Sequence, residues 1–143
     1  MNKLKDMERE RARLGFYIVK EIIKQDNETA KKFKTHIKNI PMYIYANGLI
    51  ATLAFILKKS NQNNSNKLNL EEKSYNYISK ILVDYFEQYT ILKKIEVQEQ
   101  KLENLIQEII NLSSEKEYRQ YTLEVLFFLE WAVKFSEGMI GNE

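Results

Sequence analysis

Several residue types that build catalytic and metal sites are scarce or missing in this chain of 143 residues. It has no cysteine, which excludes disulfide frameworks, thiolate metal sites and cysteine nucleophiles and disfavours a small secreted scaffold. Its single histidine, His36, excludes a histidine-rich metal centre, and Phe33 stands where a Glu-x-x-His di-iron motif needs its glutamate. We therefore expect a protein that binds and does not catalyse, with neither metal nor cofactor.

Glycine and proline are also scarce, with four residues and one residue respectively. Turn-rich β architectures and glycine-rich phosphate loops need more of both, and no P-loop, Gly-x-Gly-x-x-Gly or Gly-x-Ser-x-Gly motif occurs. The common residues Lys, Glu, Leu and Ile mostly favour helices. The composition predicts an all-α protein, a single compact bundle of about five to six helices formed by residues 1–143.

Long hydrophobic runs are missing as well. The longest nearly apolar stretch, residues 40–57, contains Asn47 and Gly48 and is too short for a comfortable bilayer span. Residues 1–13 mix basic and acidic side chains and lack an apolar run, unlike a signal peptide. We expect a cytoplasmic protein without membrane contact.

Apolar periodicity and capping residues divide the first half of the chain. A first helix is predicted over residues 3–25, a second follows the break at Asp26, and Pro41 opens a third over residues 42–59. Apolar residues cover nearly the whole circumference of this third helix, which predicts a central position. Gly48 inside it costs about 1 kcal/mol relative to alanine, and we attribute that cost to close helix packing.

The second half begins with a polar, asparagine-rich segment at residues 60–68, which we expect to be a mobile loop. Asn69 and Glu72 then resemble a capping box that starts the next helix. Residues 90–97 are ambiguous, since they can continue that helix or form a short connector.

Two further helices complete the chain. The first begins at Leu102 and ends near Ser113 and Ser114, one of which caps a last helix over residues 115–140.

The net charge of +2 hides an uneven distribution. Residues 1–60 hold 13 basic and 6 acidic side chains, whereas residues 61–143 hold 9 and 14. On helical wheels the basic residues form a stripe on each of the first two helices. The candidate nucleic-acid-binding residues are Arg9, Arg13, Lys20 and Lys24 with the adjacent Tyr17, followed by Lys31, Lys34 and Lys38.

Two interpretations of these stripes are open. Basic stripes can follow a phosphate backbone without reading bases, and Tyr17 can stack on a splayed nucleotide. Any amphipathic helix, however, has a solvated charged face, and Glu10 and Glu21 can neutralise part of the first stripe through four-residue pairs.

The last helix carries two apolar seams on roughly opposite sides. The second seam, Leu123, Phe127 and Trp131, indicates either a helix sandwiched in the core or a docking surface for another protein. We expect Phe127 in the core and leave Trp131 open. These three residues are the candidate protein-interface residues.

Several dispersed motifs are similar to those of one known family. They are Arg11-Ala12 with Tyr17, Ile40-Pro41-Met42 leading to Ala46-Asn47-Gly48-Leu49 and Leu53-Ala54-Phe55, and Tyr118-Arg119 with Leu129-Glu130-Trp131 and Lys134-Phe135. Over residues 9–140 the chain resembles the small all-helical subunit of the type III-B CRISPR effector, the Cmr complex.

The resemblance implies a non-catalytic structural subunit of an antiviral ribonucleoprotein, because target cleavage in that family belongs to a different subunit. Its implied partners are the backbone and other Cmr subunits, further copies of the same chain, and CRISPR guide RNA or target RNA. The resemblance favours the nucleic-acid interpretation of the basic stripes, with Lys3, Lys5, Arg11 and Lys32 as weaker members. The alternative is a helical protein-interaction module with no nucleic-acid contact.

Overall fold

The computed structural model describes residues 3–60, 68–88 and 95–141, with side chains from Met7 onward. Within these ranges it contains α-helices, one short 3-10 helix at Gln98–Gln100 and no strand, which confirms the all-α prediction. The helices are α1 (Lys3–Gln25), α2 (Asn27–Ile37), α3 (Ile40–Asn47), α4 (Leu49–Ser60), α5 (Leu70–Gln88), α6 (Leu102–Ile110) and α7 (Glu115–Met139). Because Gly48 alone separates α3 from α4, the pair counts as one broken helix, and the bundle then has the predicted number of helices.

Three helices begin at the residues that the sequence predicts. Asp26 and Ser114 each accept a backbone N–H hydrogen bond of 3.1 Å from the first turn of the helix that they cap. Asn69 and Glu72 form a reciprocal capping box, with hydrogen bonds of 3.0 and 2.7 Å. These caps satisfy donors that a helix start leaves unpaired, so short-range sequence determines where the helices begin.

The prediction of one continuous third helix is wrong, because the helix is interrupted at Gly48. This residue has φ 92° and ψ 166°, a conformation that is accessible to glycine and strained for other residues. A Cβ at Gly48 would meet only the Tyr118 hydroxyl, at an ordinary 3.6 Å. Backbone conformation, and not the close packing that we expected, accounts for the glycine.

The break also corrects the predicted central position of this segment. In α3, Met42 and Tyr45 are 72% and 76% exposed, so this helix lies at the surface of the described structure. In α4, by contrast, Leu49, Leu53 and Ile56 are completely buried. The second half is thus a core element, whereas the first half contributes only Ile40 and Ile44 to the core.

The centre of the bundle is α5, which packs against α2 and α4. Its Tyr85 ring stacks on Phe128 of α7 at 4.6 Å between centroids, and Phe86 contacts Tyr121 at 5.6 Å. Buried aromatic rings of this kind supply much of the apolar area that holds a small domain together. None of the helices in the described ranges combines the length and the apolarity that a membrane span requires.

Helices α1 and α7 pack along each other in a close approach. A Cβ placed on Gly15 would lie 3.3 Å from the backbone nitrogen of Ala132 and 3.4 Å from the carbonyl carbon of Trp131. Glycine at this position therefore lets the two backbones come together. The contacts advance in the same order along both helices, from Arg11 and Glu124 to Phe16 and Phe135, so α1 and α7 run in the same direction.

The ambiguous segment after α5 is a connector where it is described. Ile95 and Val97 are buried, and the Ile95 N–H donates to the Phe86 carbonyl at 3.2 Å. Residues 95–97 therefore lie beside the end of α5. The rest of the ambiguous segment lies outside the described residues, as do residues 61–67 of the predicted mobile loop.

Candidate nucleic-acid and protein interfaces

One face of α1 gathers the first predicted basic stripe. Arg9, Arg13, Lys20 and Lys24 are all exposed, and Tyr17 beside them is 59% exposed. We call these five residues the α1 basic face. Because an α-helix rises about 1.5 Å per residue, the face extends over about 22 Å. Its position opposite the buried side of α1 leaves it open to a ligand.

Neighbouring carboxylates neutralise this face less than the sequence suggests. Glu10 lies 3.7 Å from Arg13, three residues away instead of the expected four, and Glu21 accepts a 3.0 Å hydrogen bond from the Gln25 amide instead of pairing with a basic residue of the face. Within the described residues, Arg9 and Lys24 have no ion pair. Exposed ion pairs are worth at most about 1 kcal/mol, so Arg13 also remains available to a phosphate.

The three candidate lysines of the second stripe, two in α2 and Lys38 directly after it, do not form a comparable face. Lys31 lies 3.5 Å from Glu28, and the Lys34 ammonium donates a 3.0 Å hydrogen bond to the Ile140 carbonyl, just after the end of α7. Lys38 alone of the three is exposed. The second stripe is therefore divided, with Lys34 joining α2 to the C-terminal end of α7.

Arg11, a weaker candidate for RNA contact, is buried and belongs to the core. Its Nε donates to the Tyr85 hydroxyl at 3.1 Å, and that hydroxyl donates to Glu124 Oε1 at 3.1 Å. The Arg11 guanidinium lies 3.6 Å from the same carboxylate oxygen. Burial raises the pKa of Tyr85 far above its usual value, more than the opposing hydrogen bond from Arg11 lowers it. This network joins α1, α5 and α7.

The second seam of α7 lies at the surface. Leu123 and Phe127 are 54% and 49% exposed, and Trp131 is half-buried. We call these three residues the α7 apolar seam. The expectation that Phe127 lies in the core is wrong, because Phe128 occupies the core position and successive helical residues are turned by about 100°.

Charged side chains border this seam. The Arg11 guanidinium lies 5.3 Å from the centre of the Phe127 ring, and Lys134 lies 4.8 Å from the Trp131 ring. Both distances are typical of cation–π contacts. With Glu8 and Glu130, these residues line an open groove of about 290 Å³ between α1 and α7.

A row of aromatic rings connects the α7 apolar seam to the α1 basic face. Trp131 stacks on Phe135 at 5.8 Å, Phe135 meets Phe16 edge-on at 5.5 Å, and Phe16 meets Tyr17 at 5.4 Å. Lys20 lies 5.9 Å above the Phe16 ring. The two candidate interfaces are therefore neighbours. The sequence places Phe16 beside Tyr17, but only the packing of α1 on α7 shows the link.

His36 lies at the boundary between α2 and α5. Its ring stacks on Tyr75 at 4.5 Å, the Tyr75 hydroxyl lies 3.2 Å from Nδ1, and Glu71 lies 3.9 Å from Nε2. Across the part of the chain that the structure describes, no three histidine or carboxylate side chains are grouped as metal ligands would be.

The chain also matches a known protein family. The family model described as CRISPR-associated protein (Cas_Cmr5) matches residues 7–139. This match includes the α1 basic face, the α7 apolar seam and every helix between them.

Proposed function

We propose a structural role for this chain, which belongs to the Cas_Cmr5 family of CRISPR-associated proteins and so is a subunit of a type III-B Cmr complex. In this role it stacks in copies along the effector beside the backbone subunits and holds RNA there. It works in the cytoplasm as part of an antiviral ribonucleoprotein. The proposal assigns it neither a reaction nor a cofactor.

The observation that carries the RNA-binding part of the proposal is the α1 basic face. Four exposed cations and an exposed tyrosine lie along about 22 Å of one helix face, opposite the packed side. Lysine and arginine bind phosphates regardless of base identity, and tyrosine stacks on any base. Contact with guide or target RNA would therefore be independent of sequence and strongly dependent on salt. If each of the four cations binds one phosphate, log K falls with log salt at a slope of about −2.8.

The α7 apolar seam supports the assembly part of the proposal. Leu123 and Phe127 expose apolar area one helical turn apart, and aromatic residues are enriched at the centre of protein interfaces. The bordering groove supplies charged side chains for the rim. The same seam favours the second candidate function, a protein-interaction module that makes no contact with RNA.

Reconstitution of the Cmr complex with its guide RNA tests the RNA-binding part. Charge reversal at Arg13, Lys20 and Lys24 to glutamate is expected to reduce RNA retention by the assembled complex and the affinity of the isolated chain for single-stranded RNA. The matched control reverses the exposed lysines Lys58, Lys59 and Lys116, which changes the net charge equally outside the α1 basic face. If both variants retain RNA like the wild type, the α1 basic face has no role in RNA binding.

A second variant separates the two candidate functions. Leu123→Glu with Phe127→Glu is expected to reduce incorporation of the chain into the complex while its own affinity for RNA stays unchanged. Loss of incorporation in this variant, together with no effect of the α1 charge reversal, would establish the protein-interaction module.

A further inference from the structure

Two cavities adjoin along the exposed side of α5, beyond the C-terminal end of the α1 basic face. One, of about 410 Å³, lies where α1 ends and α2 begins, and its lining includes Gln25, Lys73 and Tyr77. The other, of about 140 Å³, leads toward the start of α6. Both are lined by Asn76 and Lys80, so they are adjacent, and we call the two cavities together the α5 groove.

Two lysines of α5 line the α5 groove. Lys73 and Lys80 are exposed and lie seven residues apart on α5, which places them about two helical turns, or about 10 Å, apart. Neither lysine has an ion pair within 4 Å among the described residues. Two flexible ammonium groups at this separation can bind two phosphates of the same strand.

The groove also offers uncharged hydrogen-bonding groups between the lysines. The amides of Gln25 and Asn76 and the hydroxyl of Tyr77 line it. Burial, followed by the nearby carboxylates of Asp26 and Glu21, raises the pKa of Tyr77. The hydroxyl is protonated at neutral pH, as in any tyrosine, and can donate to an RNA oxygen.

Two carboxylates, Asp26 and Asp84, also line the groove. Asp26 is engaged in capping α2, where it accepts hydrogen bonds from the Thr29 hydroxyl and the Glu28 N–H. The hydrogen bond from Thr29 is the main cause that lowers the pKa of Asp26, and Lys73 contributes less. Asp84 lies four residues after Lys80 and lines the smaller cavity. Asp26 thus interacts with Lys73 and Asp84 with Lys80, in both cases beyond ion-pair distance.

We propose that the α5 groove binds a short phosphodiester segment of single-stranded RNA that continues from the α1 basic face. Gln25 lines the groove and directly follows Lys24, the last cation of that face, so a strand that lies along α1 reaches Lys73 and Lys80 beyond its end. Tyr77 donates to a ribose 2′-hydroxyl, the group that distinguishes RNA from DNA, or to a base edge. This inference depends on the proposed RNA-binding function of α1.

Binding of labelled single-stranded RNA to the full chain over a range of salt concentrations tests the inference. Lys73→Glu with Lys80→Glu is expected to weaken binding of all sequences alike and, because two phosphate contacts are lost, to make the salt slope less negative by about 1.4. Lys58→Glu with Lys116→Glu is the control, since it removes the same charge elsewhere on the surface. Lys73→Gln with Lys80→Gln must reproduce the shift in slope, and circular dichroism checks that each variant folds.

The outcomes separate this inference from the proposed function. If the α1 charge reversal weakens RNA binding and the α5 variants behave like the control, the groove inference is wrong and the proposed function stands. If neither set alters binding, both are wrong. If the α5 variants bind RNA normally but fail to enter the Cmr complex, the groove contacts a protein and the inference is also wrong.

Discussion

The two longest helices of the bundle, α1 and α7, pack on each other and yet present opposite chemistry to solvent. The outer face of α1 carries four cations, whereas that of α7 exposes Leu123 and Phe127. Their inner faces share one role, which is to pack on each other: Gly15 allows the close approach, and the Arg11–Glu124 ion pair joins the two helices. Packing constrains only the inner faces, so the outer faces are where binding to RNA and to protein can differ.

The largest expected effect comes from breaking the buried link between the two helices. Glu124→Ala leaves the Arg11 guanidinium buried without its counter-charge, which typically costs about 3–5 kcal/mol of unfolding free energy. Urea unfolding of the variant measures this loss.

A double variant is the control for that measurement. Arg11→Met with Glu124→Leu removes both charges and is expected to recover most of the lost stability, because a buried ion pair can be replaced by apolar residues of similar volume. A Glu124→Ala variant as stable as the wild type would show that the pair does not hold α1 on α7.

The close approach at Gly15 is the next most sensitive point. Gly15→Val places atoms against the backbone of α7, whose Ala132 nitrogen lies 3.3 Å from the position of a Cβ, so the helices must move apart at a cost of about 1–3 kcal/mol. Gly138→Val in α7 is the matched control, because a Cβ there meets nothing within 4 Å. Thermal unfolding should show a lower Tm for the first variant only; equal values would contradict the close packing.

Alkaline pH tests the same inner face through Tyr85. Burial raises the pKa of this tyrosine in the folded chain, whereas the unfolded chain releases the proton near pH 10. Its contribution to stability is therefore complete below about pH 10 and declines above it, by up to about 1.4 kcal/mol per pH unit. Urea midpoints between pH 9 and 11 measure the decline.

Tyr85→Phe is the control for the pH series. It is expected to flatten the decline, although Tyr75, Tyr77 and Tyr121, whose pKa values are also raised, keep part of it. An unchanged pH dependence would assign the decline to those other tyrosines.

The smallest effects on stability are expected at the outer faces. Arg13→Gln and Leu123→Gln each replace an exposed side chain and should change the unfolding free energy by less than about 0.5 kcal/mol. They should differ in function, the first reducing RNA retention and the second reducing incorporation into the complex. A large loss of stability in either variant would show that its face takes part in folding.

Local features of the structure could be predicted well from the sequence. The caps at Asp26, Asn69 and Ser114 lie where the residue types indicate, because a cap depends on neighbours within a few positions. The ends of α1 follow from its apolar periodicity for the same reason.

Features that depend on distant contacts could not be predicted in this way. The glycine that allows close helix packing is Gly15 and not Gly48. The sequence does not show this, because the backbone next to Gly15 belongs to α7, which is distant in the chain. Phe127 and Phe128 are equally apolar, and only the placement of the other helices decides which ring is buried. From the sequence, Arg11 cannot be told apart from the exposed basic residues near it. In the structure it is buried, where it pairs with Glu124, which is distant in the chain.

By itself the sequence determined that this protein is helical and where most helices begin, and its motifs indicated the Cmr family to which the chain belongs. Composition, periodicity and capping reflect the preferences of residues and of their near neighbours, so they are enough to predict the helices and their first residues. Tertiary structure alone decided that the α1 basic face and the α7 apolar seam are neighbours, and that Lys73 and Lys80 line a groove at the end of α1. Those relations join residues many positions apart, so they exist only after the helices have packed.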